Sequence, residues 1–389
     1  MADVMRGYVE RGELAGVVTL LCRHDEVQVE AIGAQNLAAA TPIQRETIFR
    51  IASMTKPITA AAAMILVEET KLRLDEPVDR WLPELADRKV LRGIDSPLDD
   101  TMPARRPITL RDLLTFRLGL GAVMAFPDDV YPIQKAMAEA GIAPGPRPLS
   151  FSADEFMARV GGLPLVHQPG EQWMYHTGSD ILGVLIARAA GMSLGDFLKE
   201  RIFEPLAMKD TGFSVPEAKL DRLASCYHAD PATGRLAVYD EARGGPWARQ
   251  PVFESGGGGL VSTADDYLAF GRMLLRDGRH GADRILSRPA VELMTADQLT
   301  PEQKARSPFV PGFWDTRGWG FGLSVITRRG GVGLSPGSFG WDGGFSTSGY
   351  CDPHEDMVGI LLVQRMMTSP SGFDFHSDFW TLAYQAIDD

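Results

Sequence analysis

Ser53-Met54-Thr55-Lys56 sets a hydroxyl and an amine three positions apart. On a helix, residues at that spacing share one face. The amine therefore reaches the hydroxyl, and a neutral amine is one of the few groups besides imidazole that takes a proton from serine. Lys56 is the only one of the eight lysines with a serine three residues before it. Such a lysine works as a base near pH 7 only if its pKa is lowered, by burial or by nearby positive potential. The apolar flanks Ile51, Ala52 and Ile58 would supply burial, and the positive end of a helix dipole acts in the same direction. Alone, the four residues fit an N-cap serine followed by a solvated lysine much better, because serine is a common cap, so the surrounding elements must decide.

Those elements change character along the chain. Residues 2–12 read as a short amphipathic helix. Val17 to Cys22 and Val27 to Ile32 read as strands joined by the polar turn Arg23-His24-Asp25-Glu26. Ile58 to Glu69 is rich in good helix formers, with Pro57 in the first turn where proline is tolerated. Proline-punctuated helices then dominate from about Asp75 to Leu260, with long loops expected over 91–107 and 119–150. A helix is expected over Ala264 to Arg276. Strands follow at Phe321–Thr327, Gly331–Leu334, Thr347–Cys351 and Met357–Val363, and a last helix over Phe379–Ile387. Strands at both ends and helices between imply an α+β fold: an antiparallel sheet drawn from both chain ends, flanked by helices, with a mainly helical insertion. The expected division is 1–74 with 261–389 as the sheet-bearing domain and 75–260 as the insertion.

Composition bounds the partners. The chain has 389 residues, 44% hydrophobic and 23% charged, with a net charge of −12, which argues against nucleic acid or an anionic membrane surface as a partner. No apolar run is long enough to span a bilayer, and the first residues carry no signal-peptide pattern. A cytoplasmic protein is expected. Cys22, Cys226 and Cys351 are odd in number and far apart, so buried thiols are expected and no zinc spacing exists. No His-Glu-x-x-His or carboxylate cluster suggests a metal.

Phe49-Arg50-Ile51-Ala52-Ser53-Met54-Thr55-Lys56-Pro57 resembles the nucleophile segment of the serine β-lactamase-like hydrolases, a superfamily that includes class C β-lactamases, D,D-peptidases and family VIII carboxylesterases. Similarity continues through Leu74-Asp75-Glu76-Pro77-Val78, Ile108 to Leu114, Gln168 to Tyr175, Gly257 to Thr263 and Gly340-Trp341-Asp342-Gly343-Gly344, in order and over nearly the whole chain. The resemblance implies Ser53 as nucleophile, Lys56 and Tyr175 as its proton-handling partners, and the amides of Ser53 and Gly344 as an oxyanion hole. It implies no cofactor.

Two departures shape the expected substrate. The lactamase pattern carries an Asn two residues after its Tyr, where this chain has Thr177; Asn36 is the only asparagine present. The third motif usually begins with Lys or His, where Trp341 stands here, followed by Asp342. A tryptophan offers an apolar face and one donor, and an aspartate facing the site would repel anions. Both point to neutral, fairly apolar esters and resemble the family VIII carboxylesterases, with weak lactam turnover unsurprising. The alternatives are a β-lactamase, D,D-peptidase, amidase or acyltransferase on the same fold, and, ranked lower, a non-catalytic binding module. Trp341, Gly343, Phe126 and Tyr131 are the expected pocket residues, around a small-molecule ester. Gly333-Leu334-Ser335-Pro336-Gly337 matches Gly-x-Ser-x-Gly, but it leads into Ser338-Phe339-Gly340-Trp341-Asp342-Gly343-Gly344, which cannot start the helix that motif needs; a turn between strands is expected. His176 reads as a surface or packing histidine or as a tuner of the site.

Overall fold

A computed structural model describes residues 1–124, 130–368 and 373–388. Its centre is an eight-stranded antiparallel sheet. The strands are β1 (Gly16–Arg23), β2 (Glu26–Asn36), β3 (Thr41–Pro42), β4 (Arg317–Trp319), β5 (Ser324–Ile326), β6 (Phe339–Gly343), β7 (Thr347–Asp352) and β8 (Met357–Val363), ordered β4-β5-β6-β7-β8-β1-β2-β3. The two ends of the chain meet in the middle, where β1 pairs with β8 from Val17↔Val363 to Arg23↔Met357. The expected fold class is the observed one. The β1–β2 hairpin turns on His24 and Asp25, both at positive φ, as a two-residue turn matched to strand twist requires.

Period-two alternation assigns each sheet face its own layer. Val17, Leu361 and Val363 face α1 (Ala2–Glu10) and the C-terminal helix Asp374–Gln385, through Met5, Tyr8, Phe375 and Phe379. Val18, Leu20, Ile360 and Leu362 face the larger core. Into that core runs α2 (Thr55–Glu68), every residue of which is buried from Thr55 to Leu66. A helix apolar all round belongs inside, and the Ala60–Ala63 run lets it pack closely against α3 (Thr177–Ala190).

Two expectations are corrected. Gly331–Leu334 is not a strand; the strand lies eight residues later, at Phe339–Gly343. The apolar alternation of Val332 and Leu334 is offset by its flanking glycines, and Val332 is exposed. The 119–150 segment is not all loop, for Pro132–Glu139 is a helix with proline in its first turn. All three cysteines are free and buried. Among the described residues, no single helix is long and apolar enough to cross a membrane.

Gly343 closes β6 against the segment that carries Ile51 and Ser53. A Cβ there would collide with the Thr347 hydroxyl and the Ile51 carbonyl oxygen, whereas a Cβ on Gly344 would meet nothing within 4 Å. Gly343→Ala is therefore expected to cost about 1–3 kcal/mol, read as a lowered Tm, while Gly344→Ala leaves Tm unchanged. Equal Tm values for the two variants would contradict this packing.

Candidate active site

Ser53 sits in a single 3-10 turn, Ala52–Met54, that runs straight into α2. Ala52, just before it, is held at φ +43, a conformation that costs a non-glycine residue energy and is concentrated at functional sites. The segment is tied down by a short ladder, Phe49–Arg50 against Val261–Ser262, and by the buried Arg50–Asp240 ion pair. The ladder also brings the Gly256–Gly259 bend beside the start of α2. Gly256 is required there, because a Cβ would lie 2.6 Å from the Ser179 carbonyl oxygen of α3.

Lys56 points its amine at Ser53. Nζ lies 2.9 Å from Ser53 Oγ, 2.5 Å from the Gly257 carbonyl oxygen and 3.3 Å from His176 Nδ1. The side chain is fully buried. Burial brings its pKa down to about 7, against the opposing pull of the Asp180 carboxylate.

Tyr175 stands beside Ser53 and Lys56. Its ring stacks on Trp173 at 5.6 Å, and Lys56 Nζ lies 4.6 Å from its centroid. Its hydroxyl accepts a 2.6 Å hydrogen bond from Trp341 Nε1. Burial pushes the phenol well above its ordinary pKa, despite hydrogen bonds with Ser53 and Trp341 that pull it down. The phenol is therefore neutral near pH 7. Phe116, Trp319 and Phe309 complete the aromatic cluster that fixes Tyr175 and Trp341.

Of the three readings the sequence left open for His176, surface, packing or tuner of the site, the geometry fits the last. His176 is the N-cap of α3, with φ +82 and ψ −67, and Thr177 N–H donates to the Tyr175 carbonyl at 3.2 Å. That is a γ-turn of the strained hand. It aims the ring inward, with Nε2 3.1 Å from Asp180 Oδ2. Burial alone would raise the Asp180 pKa, but His176, the Ser255 hydroxyl and the Gly257 amide together hold it below the ordinary range. His176 is itself lowered, by burial first and then by Lys56. The one legible signal was a His and an Asp four apart at a helix start.

A cavity of about 640 Å³ opens over Ser53. Apolar groups dominate its wall: Met124, Phe309, Phe313, Trp341, Met366 and Met367. The Ser53 and Gly344 residues both line it, and among the described residues neither amide donates to a backbone carbonyl outside the regular elements. Asp342 also lines it, but its carboxylate accepts from Ser348 Oγ at 2.6 Å and from Tyr350 at 3.2 Å, and the Tyr350 hydroxyl accepts from Arg317 at 2.6 Å. Arg317, a cation from the distant β4, thus offsets the aspartate through one phenol, and the wall carries no uncompensated charge there.

The structure brings Ser53, Lys56, Tyr175, Trp341 and Gly344 together. It does not bring Tyr131, which caps the helix Pro132–Glu139 and packs, half-buried, against the main core away from the cavity wall. Gly343 faces Ile51 rather than the cavity. Phe126 lies outside the described residues. Ser335 is buried and held by Arg329 Nη2 at 2.8 Å, in a turn before β6. Among the described residues, no group of three or more His, Cys, Asp or Glu side chains is placed to hold a metal ion.

The profile of the family described as Beta-lactamase matches residues 1–377. Protein Rv1367c of Mycobacterium tuberculosis is 41% identical over 369 residues, spanning 93% of this chain and 88% of its own. Esterase EstB of Burkholderia gladioli is 31% identical over 378 residues, spanning 92% and 88%. Among solved structures, EstCE1, described as a hydrolase with promiscuous acyltransferase activity, superposes with a TM-score of 0.80 at 25% identity, over 98% of this chain and 97% of its own.

Proposed function

The chain belongs to the beta-lactamase family, and from that premise we propose that it is a serine carboxylesterase acting on small to medium neutral esters through a Ser53 acyl-enzyme. The observation that carries this reading is the fully buried Lys56 amine, 2.9 Å from Ser53 Oγ with its pKa brought to about 7. A lysine in that state is a base at neutral pH. Because the Tyr175 phenol is neutral there, Lys56 takes the serine proton and Tyr175 serves as donor.

The steps follow. Ser53 Oγ attacks the ester carbonyl carbon as its proton passes to Lys56. The developing alkoxide lies between the Ser53 and Gly344 amides, each such donor contributing about 3–4 kcal/mol. The carbon–oxygen bond to the alcohol breaks; Tyr175 gives its proton to the departing alkoxide and is reprotonated from the Lys56 ammonium. Water then attacks the acyl-enzyme, losing a proton to Lys56, and Ser53 leaves with a proton restored. Trp341 N–H orients the Tyr175 oxygen throughout. The apolar wall and the Arg317–Tyr350–Asp342 compensation favour an uncharged acyl group over a penicillin or peptide carboxylate.

Intact-mass detection of acyl adducts, with turnover of p-nitrophenyl butyrate set against nitrocefin, tests the reading. Ester turnover well above lactam turnover is expected; lactam turnover equal to or above it would sink the esterase. The description of EstCE1 favours one second reading, acyl transfer. An added alcohol that captures more of the acyl group than water does would establish it instead.

A further inference from the structure

A neutral amine has two N–H groups and one lone pair, and three partners surround Lys56 Nζ. The Gly257 carbonyl only accepts. The Asp180 carboxylate, ionised and 3.1 Å from His176 Nε2, also only accepts, so Nε2 carries the ring proton. In a neutral imidazole the lone pair then lies on Nδ1, the atom 3.3 Å from the amine. We propose that His176 and Asp180 are positioning residues for Lys56. By fixing this tautomer they engage both amine N–H groups, on Nδ1 and on the Gly257 oxygen, and leave the lone pair for the Ser53 hydroxyl.

The arrangement is built rather than incidental. Asp180 also accepts from the Ser255 hydroxyl at 2.6 Å and from the Gly257 amide at 2.9 Å, so one carboxylate orients both acceptors that face the amine. The strained γ-turn at His176 holds the ring between them. Besides Asp180 on its own helix, the groups facing the imidazole are Lys56 from α2 and the Tyr175 ring at 6.0 Å. A reversed imidazole would turn an Nδ1–H toward the amine, whose only acceptor is the lone pair that Ser53 needs. The inference rests on the esterase reading only in taking Lys56 as the base.

Asp180→Asn tests it. The amide oxygen still accepts from Ser255 and Gly257, while its NH2 faces Nε2 and reverses the tautomer. In 15N spectra, with the His176 signal identified by its loss in His176→Asn, wild type is expected to show protonated Nε2 and Asp180→Asn protonated Nδ1. Acylation by p-nitrophenyl butyrate falls at least about a hundredfold, as with other wrong-tautomer substitutions. Adding His176→Ala to Asp180→Asn recovers about tenfold or more, because the obstructing N–H is gone. A protonated Nδ1 in wild type, or a double variant no faster than Asp180→Asn, overturns the proposal. If Asp180→Asn does not fold, His176→Asn, whose amide oxygen replaces Nδ1, is expected to acylate about tenfold faster than His176→Ala, and equal rates overturn it. The tautomer is read without substrate, so a wild type with protonated Nε2 that no ester acylates would sink the esterase and leave the tautomer assignment standing.

Discussion

Ser53→Ala is expected to form no acyl adduct with any short ester and to turn over p-nitrophenyl butyrate at least about 10⁴-fold more slowly than wild type, the scale seen when a nucleophile that works as part of a unit is removed. The substitution deletes one oxygen at the cavity wall. It leaves the backbone amide in place and costs little packing, because that oxygen's near partners are the Lys56 amine and the Tyr175 hydroxyl at the cavity wall. Tm is therefore expected to stay close to wild type. Loss of activity with an unchanged melt assigns the effect to chemistry. A retained adduct would require another nucleophile, and Ser335 is the residue with a matching motif; its burial and its bond to Arg329 make that outcome the one that removes Ser53 from the mechanism.

Lys56→Met carries the second large effect, with a signature in stability as well as rate. Acylation is expected to fall at least about 10³-fold, since the substitution removes the base while keeping the side chain's length. In wild type, kcat/KM rises with pH through about 7, where the amine loses its proton. The sign of the stability effect follows from the same shift. The unfolded lysine binds its proton up to about pH 10.5 and the folded one only to about 7, so between those values the unfolded state holds more protons and wild-type stability climbs with pH. At pH 7 and below, the burial costs of order 4 kcal/mol, from about 1.4 kcal/mol per pKa unit. Methionine carries no such cost but leaves the Gly257 oxygen and His176 Nδ1 without their donor, about 1–3 kcal/mol each. The net change at pH 7 is small. The decisive observable is the difference between the denaturation midpoints of wild type and variant at pH 7 and at pH 9.5. That difference shifts in favour of wild type at the higher pH. A difference constant across the window would mean that the lysine is ionised in the fold.

What the sequence made legible was what local spacing encodes. Ser53 and Lys56 lie one helical turn apart, and Tyr175 follows a Pro-Gly-Glu turn just before a helix, so a short window carries each. The unread parts are made by distant contacts. His176 and Asp180 acquire their meaning from Lys56, 120 residues from the histidine. The Gly257 oxygen belongs to the backbone and leaves no mark in a residue pattern. Arg317 reaches the cavity from β4, which only sheet order places two strands from Asp342. The β6 strand was hard to see because two of its five residues are glycine, chosen for close approach rather than for strand propensity. Tyr131 misled because a ring in a proline-rich stretch near a site fits a wall or an anchor equally well, and only its burial distinguishes them.

The pairing of β1 with β8 also sets a timetable. Residues more than three hundred positions apart must meet before the sheet is continuous, and a ribosome adds about 5–20 residues per second. The N-terminal hairpin therefore waits tens of seconds beside the growing chain with its outer edge unpaired. During that interval Val17, Val18 and Leu20, apolar on both faces of one strand, lie open to any extended segment. Ser53 and Gly344 stay apart for the same period, so the two amides proposed as oxyanion donors come together only after nearly the whole chain is made. On the esterase reading, a nascent chain of this protein is silent toward esters and most in need of a chaperone at the same time, and added chaperone is expected to raise the yield of fold and function together.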